Sequence, residues 1–155
     1  MKRHEALIPL THDHHHALAQ ARRMSVVVGT GDAGARLAQA EEFLDFYSRE
    51  TIHHFREEEE LVFALWTQHV HTVAEPLREL LAEHVKIHAL VRALRDEVNK
   101  GDVGSQVLSE LGKSLQDHIR KEEDVIFPLI EREVPDEILR SIQLAPRDRG
   151  TKSVD

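Results

Sequence analysis

The sequence predicts an all-α protein, an antiparallel up-down-up-down four-helix bundle with a short extra helix near its C-terminal end. Apolar residues recur at helical spacing through almost the whole chain, which is the pattern of helices with one buried face. Only 5% of the residues are aromatic, and the abundance of Leu, Ala, Glu and Arg favours helices over sheets. Short links between four long segments are typical of antiparallel neighbours.

Glycine and proline set the predicted ends of these helices. The first helix ends at the glycine-rich stretch 29–34, and Thr11 or Asp13 is the predicted cap near its start. The third helix begins at Glu75-Pro76, because proline is well tolerated in the first turn. The predicted helices cover residues 8–28, 35–66, 75–100, 105–133 and 136–144.

A chain of 155 residues fits one domain. We expect residues 1–144 to form the bundle and the polar stretch 145–155 to be a disordered tail. The absence of cysteine excludes disulfides, thiolate zinc sites and iron–sulfur clusters. No apolar run approaches the roughly 20 residues that span a bilayer, and the net charge of -8 without a basic stripe argues against a nucleic-acid partner. A cytoplasmic location is expected, since no secretory signal is recognisable; the oligomeric state is not indicated.

Twelve histidines are far above ordinary usage, and some of them fall into regular pairs. Three pairs share a spacing of four residues: His54 and Glu58, His84 and His88, and His118 and Glu122. Residues i and i+4 lie above one another on the same helix face, so each pair can direct two ligand atoms to one point. Imidazole together with carboxylate suits iron, manganese or zinc.

A single pair of this kind is a weak indication, because polar residues of a helix mostly lie on a solvated face. These pairs, however, fall on the stripes predicted to face the core. The other stripe residues include Leu44, Tyr47, Thr51, Leu61, Leu65, Leu80, Leu81, Val91, Leu115, Val125 and Ile126. Buried carboxylates without a partner are costly, so we expect a metal cluster to be their shared partner.

The second and fourth segments carry the same short sequence. HFREEEELVF (residues 54–63) and HIRKEEDVIF (residues 118–127) align without gaps. Each copy would contribute one histidine and one bridging carboxylate, Glu58 or Glu122. The duplication therefore predicts a site with approximate two-fold symmetry.

The first segment must supply a further ligand, and it offers several histidines. His14 is preferred because it shares a stripe with Leu7, Leu10 and Ala17. His15 is an alternative ligand, or a donor to a ligand. Tyr47 lies on the inner stripe of the second segment, where it either tunes the site or is an ordinary core tyrosine.

Taken together, the four elements DHHHAL, HFREEEELVF, EHVKIH and HIRKEEDVIFP resemble the hemerythrin family, specifically the bacterial HHE cation-binding domains. The resemblance covers residues 5–132. It implies two iron ions linked by an oxo or hydroxo bridge; zinc or a mixed manganese–iron pair would satisfy the same ligands. The implied ligands are His84, His88 and His118 on one iron, His14 and His54 on the other, and Glu58 and Glu122 between them. The oxygen carriers of the family have an aspartate five residues after the last histidine, which makes Glu123 the alternative to Glu122.

The resemblance implies a protein that binds dioxygen for storage, delivery or sensing, rather than an enzyme. One alternative is a di-iron enzyme that acts on peroxide or nitric oxide, and another is an iron-handling or repair protein. A ferritin-like oxidase is not favoured, because its Glu-x-x-His motif fits only Glu50 to His53, on the outer face.

Overall fold

The computed structural model describes residues 2–145, and these residues form helices and no strand. The all-α class is therefore confirmed. In chain order the helices are α1 (Ile8–Thr30), α2 (Ala33–Phe46), α3 (Ile52–Glu57), α4 (Ala64–His69), α5 (Ala74–Lys100), α6 (Ser105–Lys121), α7 (Phe127–Glu133) and α8 (Asp136–Arg140). A 3₁₀ turn, Glu5–Leu7, precedes α1. The predicted tail lies outside the described residues from position 146 onward.

Several of these helices are parts of longer ones. π-helical turns at Tyr47–Thr51 and Glu58–Phe63 join α2, α3 and α4 into one helix over residues 33–69. A third π-helical turn, Glu122–Ile126, joins α6 and α7 over residues 105–133. We call these the second and fourth long helices; α1 and α5 are the first and third. The predicted segments correspond to these four, with ends that differ by a few residues.

The helix ends follow local signals. Gly31 and Gly101 have φ of 69° and 71°, the left-handed conformation in which glycine commonly ends a helix. The predicted caps Thr11 and Asp13 are wrong. α1 already begins at Ile8, with a proline in its first turn, where the missing N–H costs no helical hydrogen bond.

The core consists of two apolar clusters, one on either side of a polar layer. Cluster one includes Met24, Phe43, Leu94 and Leu108; cluster two includes Leu10, Phe63, Leu80 and Phe127. α1 packs against α2 and α6, and α5 packs against the same two helices. The chain runs from cluster two to cluster one along α1 and α5, and in the opposite order along the second and fourth long helices. Each long helix therefore crosses the layer between the clusters once.

The π-helical turns change which residues face the core. Leu61 and Val125 were predicted to be buried, but they are 38% and 56% exposed, whereas Val62 and Phe127 are buried. A π turn holds more residues than an α turn, so the buried stripe moves on by about one position. The prediction for Leu61 and Val125 is wrong for this reason.

Among residues 2–145, no helix combines the length and the apolar composition that crossing a membrane requires.

Candidate metal centre

Six of the predicted ligand residues come together in the layer between the two apolar clusters. They are His14, His54, Glu58, His84, His118 and Glu122. The ligand atoms form two groups, one around the first two histidines and one around the other two, and both groups share the two carboxylates. Within each group these atoms lie within 4.8 Å of one another. All six side chains are buried, and the two carboxylates are 0% exposed.

The two histidine pairs have nearly the same geometry. Nε2 of His14 lies 3.1 Å from Nε2 of His54, and Nε2 of His84 lies 3.2 Å from Nε2 of His118. Two ligand nitrogens each ~2.1 Å from one ion, at a right angle, are about 3.0 Å apart. Each pair is therefore spaced as two neighbouring ligands of a single cation.

The two carboxylates reach both histidine pairs. Glu58 places Oε1 2.7 Å from Nε2 of His54 and Oε2 3.2 Å from Nε2 of His84. Glu122 places Oε1 2.7 Å from Nε2 of His118 and Oε2 3.0 Å from Nε2 of His14. One oxygen of each carboxylate faces each pair, which is the arrangement of a carboxylate that bridges two ions.

The carboxylate oxygens and imidazole nitrogens of the centre would be satisfied better by cations than by one another. Among the described residues, none of the four oxygens of Glu58 and Glu122 has a hydrogen-bond partner with acceptable geometry, although imidazole nitrogens lie close by. A buried carboxylate without hydrogen bonds carries a penalty of several kcal/mol. The lone pairs of these oxygens and of the nearby Nε2 atoms converge on common points, where two cations would satisfy all of them.

Without metal, protons take over part of the role of the cations. Burial acts to lower the pKa of His84, but its contacts with Glu122 and Glu58 outweigh burial and raise this pKa to about 10. Burial also acts to lower the pKa of His118, but the charge of Glu122 outweighs burial and raises this pKa to about 9. Burial and the charge of Glu122 would raise the pKa of Glu58, yet the neighbouring imidazoles lower it to about 2.

A carboxylate lies beside the outer ring nitrogen, Nδ1, of each of the four histidines. The pairs are Asp13 with His54 (2.9 Å), Glu59 with His84 (2.8 Å), Glu123 with His14 (2.5 Å) and Glu83 with His118 (3.8 Å). In every pair the carboxylate and the histidine come from different long helices. The carboxylate of the first helix lies beside the histidine of the second, that of the second beside the third, that of the third beside the fourth, and that of the fourth beside the first. In the three pairs at 2.5–2.9 Å, a carboxylate that accepts the Nδ1 proton fixes the tautomer in which Nε2 has a free lone pair for a metal. At 3.8 Å, Glu83 lies near His118 without a hydrogen bond to it.

Three of these four carboxylates, Asp13, Glu59 and Glu83, did not emerge from the sequence reasoning. Each is adjacent in the chain to one of the central residues, as Glu123 is to Glu122. That adjacency is the one signal that could have found them. Two of these four carboxylates are themselves held by basic side chains, since Arg3 donates to Glu123 and Lys121 donates to Glu83.

The remaining predicted residues lie around this centre. His88 belongs to neither group; it is half-buried, and its Nδ1 contacts the hydroxyl of Tyr47. Burial and the neighbouring charge of His84 lower the pKa of His88. His15 is exposed on the outer face of α1, with the ring of His12 6.4 Å away. The roles predicted for these side chains as ligands or tuning groups stay predictions.

A small cavity adjoins the centre. Its volume is about 20 Å³, and about 10–15 Å³ by this measure holds one water molecule. The lining residues are Asp13, His14, Ala17, Phe46, Glu50, Thr51, His54, Phe55, Leu115, His118 and Ile119. Histidines from both metal groups therefore face a mostly apolar space that accepts a ligand of very few atoms.

Replacing one outer carboxylate tests its effect on the metal site. We expect Glu59→Gln to lower metal affinity by roughly 10–100-fold, because a neutral amide holds the Nδ1 proton of His84 less strongly than a carboxylate does. The affinity is measured by competition with a chromophoric chelator.

The matched control is Glu60→Gln, since Glu60 is exposed and pairs only with Arg56 among the contacts described. An equal loss in both variants, or no loss in the first, would contradict the assigned role of Glu59.

A fold that gathers imidazoles and carboxylates from four long helices at two buried points defines a helical cation-binding protein. The family model described as the hemerythrin HHE cation-binding domain matches residues 7–130. The chain belongs to this family, and the resemblance found in the sequence is confirmed. None of the curated proteins and none of the solved structures compared gives a match.

Proposed function

We propose that the protein holds two iron ions at this centre and binds dioxygen there, for storage, delivery or sensing. The observation that carries the proposal is the placement of Glu58 and Glu122, each with one oxygen toward each histidine pair. Such a pair of bridging groups suits two ions side by side. Imidazole and carboxylate ligands are compatible with iron, which when bound supplies redox activity and an open coordination position.

The side chains around the centre support the binding of a small gas. Phe55 stacks on His84, with ring centroids 3.9 Å apart, and Phe127 stacks on His14 at 5.5 Å. These rings and the apolar cavity wall keep bulk water away from the centre. Exclusion of water protects a reduced site from side reactions.

We propose an up-down-up-down order for the four long helices and a fifth histidine ligand, His88. The alternation of the two apolar clusters along successive long helices supports an up-down-up-down order. His88 would complete a set of five histidines; it lies one turn after His84 and packs against Phe55, which also stacks on His84. The cytoplasmic location stays a prediction.

A second candidate function is an enzyme that acts on peroxide or nitric oxide. Two carboxylates, Asp13 and Glu50, line the same cavity, where they can exchange protons with a bound molecule. Iron handling is supported less, because the ligand groups are fully enclosed and release of an ion would require the helices to separate.

One experiment separates these candidates. The iron-loaded protein is reduced without air, dioxygen is admitted, and the absorption spectrum is followed. An oxygen-binding protein develops a visible band that disappears under vacuum and returns over repeated cycles. The zinc-loaded protein is the control and develops no band.

Irreversible oxidation after one exposure would contradict reversible dioxygen binding. Consumption of added peroxide or nitric oxide over many turnovers would favour the enzyme.

A further inference from the structure

Thr51 carries a buried hydroxyl within the second long helix. The residue is 5% exposed, and Oγ1 has no hydrogen-bond partner among the described residues. A threonine within a helix ordinarily bonds to a carbonyl of the preceding turn. Thr51 instead ends the π-helical turn Tyr47–Thr51, and π turns interrupt that regular pattern and recur at functional sites.

The position of Thr51 explains what could satisfy this hydroxyl. Thr51 lines the small cavity beside the candidate metal centre, together with His14, His54 and His118. The two carboxylates of the wall each lie beside an imidazole: Asp13 is 2.9 Å from Nδ1 of His54, and Glu50 is 3.6 Å from Nδ1 of His16. Thr51 therefore brings an unused hydrogen-bond donor to a wall that is otherwise largely apolar.

Leaving a buried hydroxyl unpaired destabilises a protein, and replacing it by a methyl group of the same shape removes that penalty. Valine in place of threonine would be the more stable choice for a residue that only packs. A hydroxyl at this position is accounted for by a molecule in the cavity that accepts its hydrogen bond.

We propose that Thr51 is a positioning residue that donates a hydrogen bond from Oγ1 to the small ligand held between the cavity and the metal centre. This role of Thr51 rests on the proposed function and adds to it a preference for ligands that accept a hydrogen bond. A diatomic molecule whose outer atom is a hydrogen-bond acceptor is retained, and an apolar gas atom of similar size gains nothing. The cavity volume of about 20 Å³ limits this ligand to one or two atoms beyond the metal.

The test uses nitric oxide as the probe on the iron-loaded, reduced protein. Thr51→Val removes the hydroxyl and keeps the shape, while Thr51→Ser keeps the hydroxyl. We expect Thr51→Val to release nitric oxide roughly 3–10-fold faster, the effect of losing one hydrogen bond. Thr51→Ser is expected to stay close to the unsubstituted protein. The dissociation rate is followed with a nitric oxide trap.

Two further readouts separate a positioning role from a structural one. The N–O stretching band of the bound probe is expected to shift between H₂O and D₂O in the unsubstituted protein and in Thr51→Ser, but not in Thr51→Val. The band in the unsubstituted protein tests the hydrogen bond even if a variant fails to fold. The Tm of metal-free Thr51→Val is expected to be equal or higher, because an unpaired buried hydroxyl has been removed.

The role of Thr51 and the proposed function can fail separately. Unchanged nitric oxide release in Thr51→Val, or no solvent-isotope shift in the unsubstituted protein, overturns the role of Thr51 and leaves the proposed iron centre standing. Equal losses in Thr51→Ser and Thr51→Val also overturn it. Failure of the unsubstituted protein to take up iron or nitric oxide overturns both.

Discussion

Glu122→Gln is expected to lower metal affinity by more than about 100-fold. Replacing a residue that only hydrogen-bonds to a metal ligand already lowers affinity by about 10–100-fold. Glu122 belongs to both ligand groups, so in the proposed two-ion centre its loss would remove a charged ligand from both ions at once. An amide has the same shape but cannot carry the negative charge that two neighbouring cations require. Metal content after dialysis, with competition titration, measures the change.

Two matched variants make this result specific. Glu110→Gln alters an exposed carboxylate of α6 and is expected to bind metal like the unsubstituted protein. Glu123→Gln alters the neighbour that contacts Nδ1 of His14, and we expect an intermediate loss. If Glu123→Gln proved the more severe variant, Glu123 rather than Glu122 would be the direct ligand.

Metal binding is expected to release protons, on the order of three per chain at neutral pH. The pKa of His84 is about 10 and that of His118 about 9 in the metal-free protein, while contacts with Glu122 and Glu123 overcome burial and raise the pKa of His14 well above its usual value. A metal binds only the neutral imidazole, so it must displace these protons. Affinity should therefore rise with pH up to about 10.

Calorimetry in buffers of different ionisation enthalpy counts the released protons. Zinc and iron are expected to release the same number of protons from the histidines, since the same imidazoles bind either ion. Metal binding without proton release would show that the histidines are not the ligands.

The same groups set the pH dependence of the stability of the metal-free protein. The folded pKa values of His84 and His118 lie above the ordinary value of 6.5, so their contribution is fully present below pH 6.5 and is lost as pH rises through 9 and 10. The pKa of Glu58 is lowered from 4.5 to about 2, so its contribution is present above pH 4.5 and is lost as pH falls toward 2. Thermal melts of the metal-free protein should therefore show a lower Tm both at high pH, above about 9, and at low pH, below about 4.5.

The residues that gather at the candidate centre could be predicted from the sequence because their spacing is a property of a single helix. Residues four apart share a face in any α-helix, and the burial of His54 with Glu58, or of His118 with Glu122, follows from the apolar residues around them. No knowledge of neighbouring helices is needed for this step. The sequence duplication added the symmetry of the site.

Other features depend on relations that no single helix contains. The outer carboxylate Asp13 reaches His54 on another helix, and Glu59 reaches His84 in the same way, so only the packing of the helices reveals these contacts. The π-helical turns, which expose Leu61 and Val125, require hydrogen bonds that the apolar pattern does not encode. The unpaired hydroxyl of Thr51 is likewise visible only when its surroundings are known.

Anomalous diffraction from crystals of the metal-replete protein tests the central claim most directly, because it locates ions without reference to activity. Two peaks are expected in each chain. One should lie beside Nε2 of His14 and His54, the other beside Nε2 of His84 and His118, and both should contact Glu58 and Glu122. A metal-replete crystal with no peak between these side chains, or with ions only on exposed histidines, would contradict the account.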